Sequence, residues 1–338
     1  MKKKLVKTAT SFNKKKINIL VTGGAGYIGS VFCSYLKENY PNIFKVFVID
    51  NLSSGKRKYL NFDKFYKFDL KSNSKLNNFF ANNKIDTVVH LAGFTNLREK
   101  SSQKFYMNNF LVTKNLISKL VKFKIKKLIF SSTASVYGNP NKTPIKETFD
   151  TNPISYYGKS KLKAENYIKK YSKNNYSCIT FRFFNASGAN VYQPIGEDKD
   201  PPQHLIPIIL KGFLKKKKVK IFNGFNTYDG TGVRDYIHVD DIALALVKGI
   251  KYLDYIKVNY EVINLGSGKG VSSLSILKKL EVLLNKNICY SFSKKKIGEP
   301  DVLLASISKA KQKINWFPQK KITRILKDAF YWEKYICK

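Results

Sequence analysis

Ile17-Asn18-Ile19-Leu20-Val21-Thr22-Gly23-Gly24-Ala25-Gly26-Tyr27-Ile28-Gly29 decides the fold. Residues 17–22 form a short apolar run that ends in glycines, the pattern of a buried strand entering a tight turn. Residues 26–39 follow with Ile28, Val31, Phe32 and Tyr35 at helical spacing. Phe44 to Asp50 is then a second buried strand, which completes a strand–turn–helix–strand unit of βαβ size. Glycine at 23, 26 and 29 permits the turn and lets a pyrophosphate approach the backbone, where the helix start offers free N–H donors.

The alternation continues outward from that unit. Strands are predicted at 64–68, 86–91, 127–130, 177–183 and 260–265, and helices at 104–122, 155–173, 204–216, 272–285 and 320–336. Strands rich in Val, Ile and Phe between helices imply a doubly wound parallel sheet of Rossmann type, covered on both faces. A smaller C-terminal α/β lobe is expected beside it. Residues 1–16, with seven lysines, read as a basic extension. The nucleotide-binding domain spans 17–188, with 236–266 returning to it, and the lobe comprises 189–235 and 267–338. Asn190 to Pro202 is rich in Pro, Gly and Asp and reads as loop.

Composition limits the function classes. The chain has 338 residues with ordinary apolar and charged fractions, enough for two domains or one large fold with a lobe. No run of ~18 uncharged apolar residues exists, so no membrane span is expected. The N-terminus lacks an apolar signal region, and a cytoplasmic protein is expected. Lys plus Arg is 62 against 23 acidic residues, a net charge of +39. Such charge suits a nucleic-acid partner, yet only Arg57, Arg98, Arg182, Arg234 and Arg324 are arginines. Readers of nucleic acid lean on Arg for bidentate contacts, so the lysines read as a solvated surface and no specific nucleic-acid partner is expected. Cys33, Cys178, Cys289 and Cys337 lack metal or redox spacing, and His90, His204 and His238 follow no ligand motif. A reducing compartment and no metal follow.

Asp50 ends the second strand about 20 residues beyond the glycines. A carboxylate there accepts the adenine-ribose hydroxyls and repels a 2′-phosphate, which predicts NAD over NADP. Asp69 also ends a strand; it either meets the adenine or caps the turn. Tyr157 and Lys161 stand at i and i+4, on one face of the predicted helix. An ammonium near a phenol lowers its pKa from ~10 toward working pH, making a general base. In so Lys-rich a chain this pair alone carries little weight. Its company matters: the strand ending Ser131-Ser132-Thr133 brings a hydroxyl to the same edge of the sheet.

Thr133, Tyr157 and Lys161, with the glycine loop, Asp50, Leu91-Ala92-Gly93 and Arg182-Phe183-Phe184-Asn185, resemble the extended short-chain dehydrogenase/reductase family. Within it, Asp229-Gly230-Thr231-Gly232-Val233-Arg234-Asp235-Tyr236-Ile237-His238-Val239 is similar to the branch that epimerises UDP-hexoses. The resemblance runs from about 17 to about 318. It implies C4 epimerisation through a 4-keto sugar, with hydride passing to a tightly held NAD and back. Tyr157 would move the 4-hydroxyl proton, Lys161 hold the nicotinamide ribose, and Thr133 orient the 4-oxygen. By the same resemblance NAD would be bound by Gly23, Gly26, Tyr27, Ile28, Gly29, Asp50, Asn51, Asp69, Leu70, Leu91, Ala92, Gly93, Asn108, Ser131 and Phe184, beside Tyr157 and Lys161.

The UDP-sugar would meet Thr133, Asn185, His204 and Leu205, with Ile221 and Phe222 covering the uracil, Arg234 and Lys296 on phosphates, and Glu299 on the ribose. Relatives that dehydrate sugar nucleotides carry an Asp-Glu pair after the strand-end Thr, whereas this chain has Ala134-Ser135-Val136. Where some members have a cofactor-touching Lys after the Ala-Gly, this chain has Thr95. Where members of that family have a pocket-gating residue near 303, this chain has Leu303. The family likeness also implies a homodimer through the helices near 104–122 and 155–173. Two other readings stay open: an epimerase of an N-acetylhexosamine, uronate or pentose, and a nucleic-acid-binding protein on a Rossmann scaffold.

Overall fold

The computed structural model describes residues 16–96, 99–173, 176–255, 259–295 and 298–337. All but the last residue of the basic extension, and also Lys296, lie outside them.

The first half alternates strands and helices. It contains β1 (Ile17–Thr22), α1 (Tyr27–Asn39), β2 (Phe44–Asp50), β3 (Lys64–Lys67), α2 (Asn73–Asn82), β4 (Thr87–His90), α3 (Ser102–Phe105), α4 (Val112–Lys122), β5 (Lys127–Thr133), α5 (Tyr156–Tyr171) and β6 (Ser177–Phe183). Much later, β12 (Tyr260–Leu265) joins them. These strands form one seven-stranded sheet in the order β12-β6-β5-β4-β1-β2-β3, every neighbouring pair parallel. Burial explains the strand composition. Ile19, Leu20 and Val21 are consecutive and wholly buried, so both faces of β1 are covered. One face packs against α1 and α7 (Val239–Tyr255), the other against α2, α4 and α5. Phe181 lies in the first of these cores, and truncating it to Ala would cost about 3–5 kcal/mol.

The predicted helix 104–122 is interrupted. Tyr106–Leu111 is a π-helical stretch between α3 and α4, a bulge often found at functional positions. It turns Asn109 inward, where the side chain accepts the Phe94 N–H at 2.6 Å and donates to Phe94 O and Ser160 Oγ. That ties the loop after β4 to α5.

The lobe is built from short pieces. These are β7 (Asn185–Ser187), β8 (Ala189–Asn190), β9 (Ile195–Gly196), α6 (Leu205–Leu214), β10 (Val219–Asn223), β11 (Val233–His238), β13 (Gly270–Ser272), α8 (Ser273–Leu284), β14 (Tyr290–Lys294), β15 (Val302–Leu303), α9 (Ser308–Ile314) and α10 (Ile322–Ile336). The expected loop at 190–202 therefore contains one antiparallel strand pair, β8 with β9. β10 pairs with β14, and β11 collects β7, β13 and β15. Ile206, Ile209, Ile221, Leu277, Leu280 and Leu326 form the lobe's own core. Among the described residues no helix is long and apolar enough to cross a membrane.

Candidate active site

Parallel strands all point the same way, so the loops after β1, β2, β4, β5 and β6 meet along one edge of the sheet. The strand order reverses direction between β1 and β4, and ligands of open α/β sheets bind at such a switch point. The glycine loop lies there. Gly23 has φ +71°, and a β-carbon on it would stand 2.5 Å from Ala92 N. A β-carbon on Gly29 would meet Gly23 O at 2.3 Å. A β-carbon on Gly26 would have Gly23 O beside it, at 3.3 Å, and otherwise open space. The loop is packed behind and open in front. Gly26 is the N-cap of α1 and no side chain caps that helix, so its first N–H groups remain for an anion. Tyr27 donates its hydroxyl to Gly188 O at 2.7 Å, which locks the helix start to the chain beyond β6.

Asp50 stands at the end of β2. Its carboxylate accepts the Ala25 N–H at 3.0 Å and the Leu52 N–H at 2.8 Å. It both braces the glycine loop and caps its own turn. Burial raises its pKa against those two hydrogen bonds. Asn51 donates to Asp69 at 2.9 Å, joining the ends of β2 and β3. Asp69 also takes the Lys71 N–H, so it caps its turn as well. These groups line the end of the crevice at β2 and β3. Leu70 departs from expectation: its side chain is in the core with Leu76 and Phe79, because the chain turns back into α2 there. Asn108 is half-buried and spends its amide on Lys104 O; its neighbour Asn109 makes the inward contacts.

The chemical end lies at β5 and α5. Ser155 caps α5, its hydroxyl accepting the Gly158 N–H, and so sets where Tyr157 and Lys161 project. The Tyr157 hydroxyl lies on the Thr133 side of the crevice, where Thr133 draws the phenol's pKa down. The Thr133 oxygen accepts the Ser135 N–H at 3.1 Å, which fixes its rotamer. Lys161 is buried; its Nζ donates to Ser131 O at 2.8 Å and lies 3.2 Å from where a β-carbon of Gly93 would stand.

One expectation is overturned here. Lys161 does not lower the Tyr157 pKa; burial pushes the phenol up to about 12, with only Thr133 opposing. The same burial lowers Lys161 to about 8, against the pull of Glu165. The ammonium is turned toward the Ser131 carbonyl, and desolvation outweighs any attraction it exerts on the phenol.

Glu165 is an unforeseen part of the site. It lies one turn below Lys161 and is bidentate to Arg182 at 3.1 and 2.7 Å. It also accepts the Ser132 hydroxyl. Both charges are buried, so each depends on the other. The pair locks α5 onto β5 and β6. The remaining Arg182 nitrogen, Nη1, has no hydrogen-bond partner, and the guanidinium sits over the Tyr137 ring at 4.7 Å. Its motif, Arg182 to Asn185, was visible in the sequence; its partner was not.

The lobe forms the other wall. Phe184 is buried beside Val136, Tyr137 and Ala305. Asn185 is on β7, in register with Tyr236 of β11. His204 occupies the N-cap position of α6 without a capping bond from its side chain, whose Nδ1 instead meets Glu197 at 2.7 Å, with Leu205 next on the helix. Arg234 donates to two carbonyls, Val233 O at 2.9 Å and Asp301 O at 3.3 Å. It has no carboxylate within ion-pair distance among the described residues, while Glu299 and Asp301 add favourable field from farther off. Ile221 is a correction: its side chain is wholly buried in the lobe core and cannot cover a base, because alternation along β10 turns it inward and Phe222 outward.

A glycine-loop crevice, an acidic β2 end, and a Thr–Tyr–Lys set at the reacting edge define a nicotinamide-nucleotide enzyme of the parallel α/β type. The pattern of the NAD dependent epimerase/dehydratase family matches residues 19–266, and the chain belongs to that family. It is 38% identical to a UDP-glucose 4-epimerase of Streptococcus mutans over 93% of this chain and 96% of that protein. It is 35% identical to the UDP-glucose 4-epimerase of Bacillus subtilis over 93% and 96%. The UDP-glucose 4-epimerase of Bifidobacterium longum, solved in complex with NAD+ and UDP, superposes with a TM-score of 0.87 at 31% identity, covering 94% of this chain and 98% of that one.

Proposed function

We propose that the protein interconverts UDP-galactose and UDP-glucose by inverting C4 of the sugar, with NAD as its resident redox group. The observation that carries this reading is the gathering of Thr133 at the end of β5 with Tyr157 and Lys161 on α5, whose Lys161 Nζ donates to Ser131 O of that same strand at 2.8 Å. The glycine loop, packed behind and open in front, fits a dinucleotide diphosphate. Asp50 selects NAD over NADP by its charge. When bound, NAD supplies a hydride acceptor and donor and a positive charge beside the phenol.

Tyr157 takes the proton of the 4-hydroxyl and later returns it. Thr133 holds the 4-oxygen in line with that phenol. Lys161 holds the nicotinamide ribose, and Glu165 with Arg182 fixes the helix that carries both groups. Asn185, His204, Leu205, Phe222, Arg234 and Glu299 hold the UDP end; the planar Arg234 fork suits a diphosphate. No carboxyl group follows Thr133, so nothing there expels water from the sugar, which supports epimerisation over dehydration. The same proposal has the enzyme acting in the cytoplasm as a homodimer. Exposed Tyr106, Val121 and Tyr156 on the α3–α5 side support the contact.

The test is to mix the purified protein with UDP-galactose, without added cofactor, and assay UDP-glucose with a coupled dehydrogenase. Approach to a mixture of both sugars is expected. No conversion with NAD added, together with turnover of an N-acetylated, uronate or pentose substrate, would move the activity to that sugar.

A further inference from the structure

Lys199 lies in the loop between β9 and α6, Glu197-Asp198-Lys199-Asp200-Pro201-Pro202-Gln203-His204. The loop crosses from the lobe to the nucleotide domain. Asp198 accepts from Lys56 at 2.6 Å and from the Tyr59 hydroxyl at 2.9 Å, both on the loop side of β2. Lys211 clasps the Lys199 carbonyl at 2.8 Å. Between these anchors the Lys199 ammonium reaches Thr95 Oγ1 at 3.0 Å and Gln203 Oε1 at 3.1 Å.

Thr95 belongs to the loop after β4. Its neighbour Phe94 packs on Phe105 at 5.2 Å between ring centres, and Phe105 packs on Tyr157 at 6.2 Å. The ammonium thereby ties the lobe to the loop whose Gly93 lies against Lys161 Nζ. It is largely desolvated, which lowers its pKa; only Glu197 opposes. Glu197 is itself engaged by His204. A half-buried cation held by two neutral oxygens, with no carboxylate within ion-pair distance among the described residues, retains capacity for a ligand oxygen. Ammonium has three donors, and Thr95 and Gln203 use two.

We propose that Lys199 is a sugar-recognition residue: from the lobe, its ammonium donates to an oxygen of the sugar whose C4 faces Tyr157. Thr95 and Gln203 aim it. Its charge favours a sugar that carries a carboxylate over one that carries only hydroxyls, because charge-assisted hydrogen bonds are the stronger. This inference rests on the placement of the sugar under "Proposed function", and its test needs no turnover.

The measurement is calorimetric binding of UDP, UDP-galactose and UDP-glucuronate to the NAD-loaded Tyr157→Phe protein, with and without Lys199→Met. UDP lacks the sugar and should bind equally to both. UDP-galactose should weaken about tenfold or more on losing the ammonium, the size expected for one hydrogen bond to a charged group. UDP-glucuronate should weaken further. Lys199→Arg should restore part of the sugar discrimination. Equal loss for UDP and UDP-galactose would assign Lys199 to the diphosphate, and loss of bound NAD would assign it to the cofactor; either overturns the proposal. Unchanged affinities would overturn it as well. A thermal midpoint for Lys199→Met and Lys199→Arg separates these outcomes from misfolding. Failure of epimerisation in the wild type leaves the binding comparison intact.

Discussion

The sheet half and the lobe half of the crevice are built on different means. The sheet half presents backbone: an uncapped helix start, glycines that a β-carbon would jam, and strand ends in fixed register. The lobe half presents side chains from separate segments: Arg234 on β11, His204 at α6, Lys199 on a strap. Backbone geometry tolerates little exchange, since every substitution at Gly23 or Gly29 meets main-chain atoms. Side-chain geometry allows substitution of source, as where Lys199 of the lobe reaches Thr95 of the sheet half. Cofactor binding is therefore the rigid part of this site and sugar recognition the adaptable part.

That contrast can be broken most sharply at Tyr157. Tyr157→Phe removes one hydroxyl from the sheet half and should lower turnover about 10²–10⁴-fold while bound NAD, read by absorbance, stays. Near-normal turnover would remove Tyr157 as the proton carrier. Glu165→Gln leaves Arg182 buried and uncompensated. A stability loss of about 3–5 kcal/mol in urea titrations is expected, with kcat falling as α5 loosens. A loss below ~1 kcal/mol would show that the pair does not brace the helix.

In the lobe half, Glu333 on α10 is buried and neither carboxylate oxygen has a protein partner. Burial raises its pKa from 4.5 to about 7, with Lys211 opposing. Between those values the folded state binds more protons than the unfolded one, so this group's contribution to stability falls as pH rises from 4.5 to 7. Glu333→Gln should be the more stable protein at pH 8, by up to ~3 kcal/mol relative to its difference at pH 4.5. An equal difference at both pH values would exclude the titration. The smallest expected effect is Arg234→Lys, which keeps the charge and loses the fork. KM for UDP-galactose should rise roughly tenfold with kcat little changed. A fall in kcat alone would mean that Arg234 acts on the reaction and not on UDP binding.

The same contrast governs what could be read in advance. Most of the sheet strands are runs rich in Val, Ile and Phe separated by helical patterns, so the strand ends that carry Asp50 and Thr133 and the helix that carries Tyr157 and Lys161 are legible in the sequence. The lobe's strands are two to six residues long and pair across distant segments, which leaves almost no periodic signal. Ile221 and Phe222 were read as a unit, although alternation along β10 separates them. Asn109 was hidden because a π turn, which nothing in the sequence marks, sets which residue of this helix faces inward; the family resemblance had pointed to Asn108. Glu165 was missed because its importance depends on Arg182, which lies on a strand far along the chain. The phenol pKa was misjudged because a sequence shows a nearby ammonium and does not show burial.

The interleaving of the two halves has a consequence for synthesis. β12 is the outer neighbour of β6 in the sheet, yet residues 184–259 of the chain lie between them. At ~5–20 residues per second, β6 has left the ribosome for about 4–15 s before its partner exists. During that interval the sheet has a naked strand edge, open to pairing with another nascent chain. The segment that becomes β7 through α7 must be accommodated while that edge waits, and translation speed through it sets how long the newborn chain remains vulnerable to aggregation.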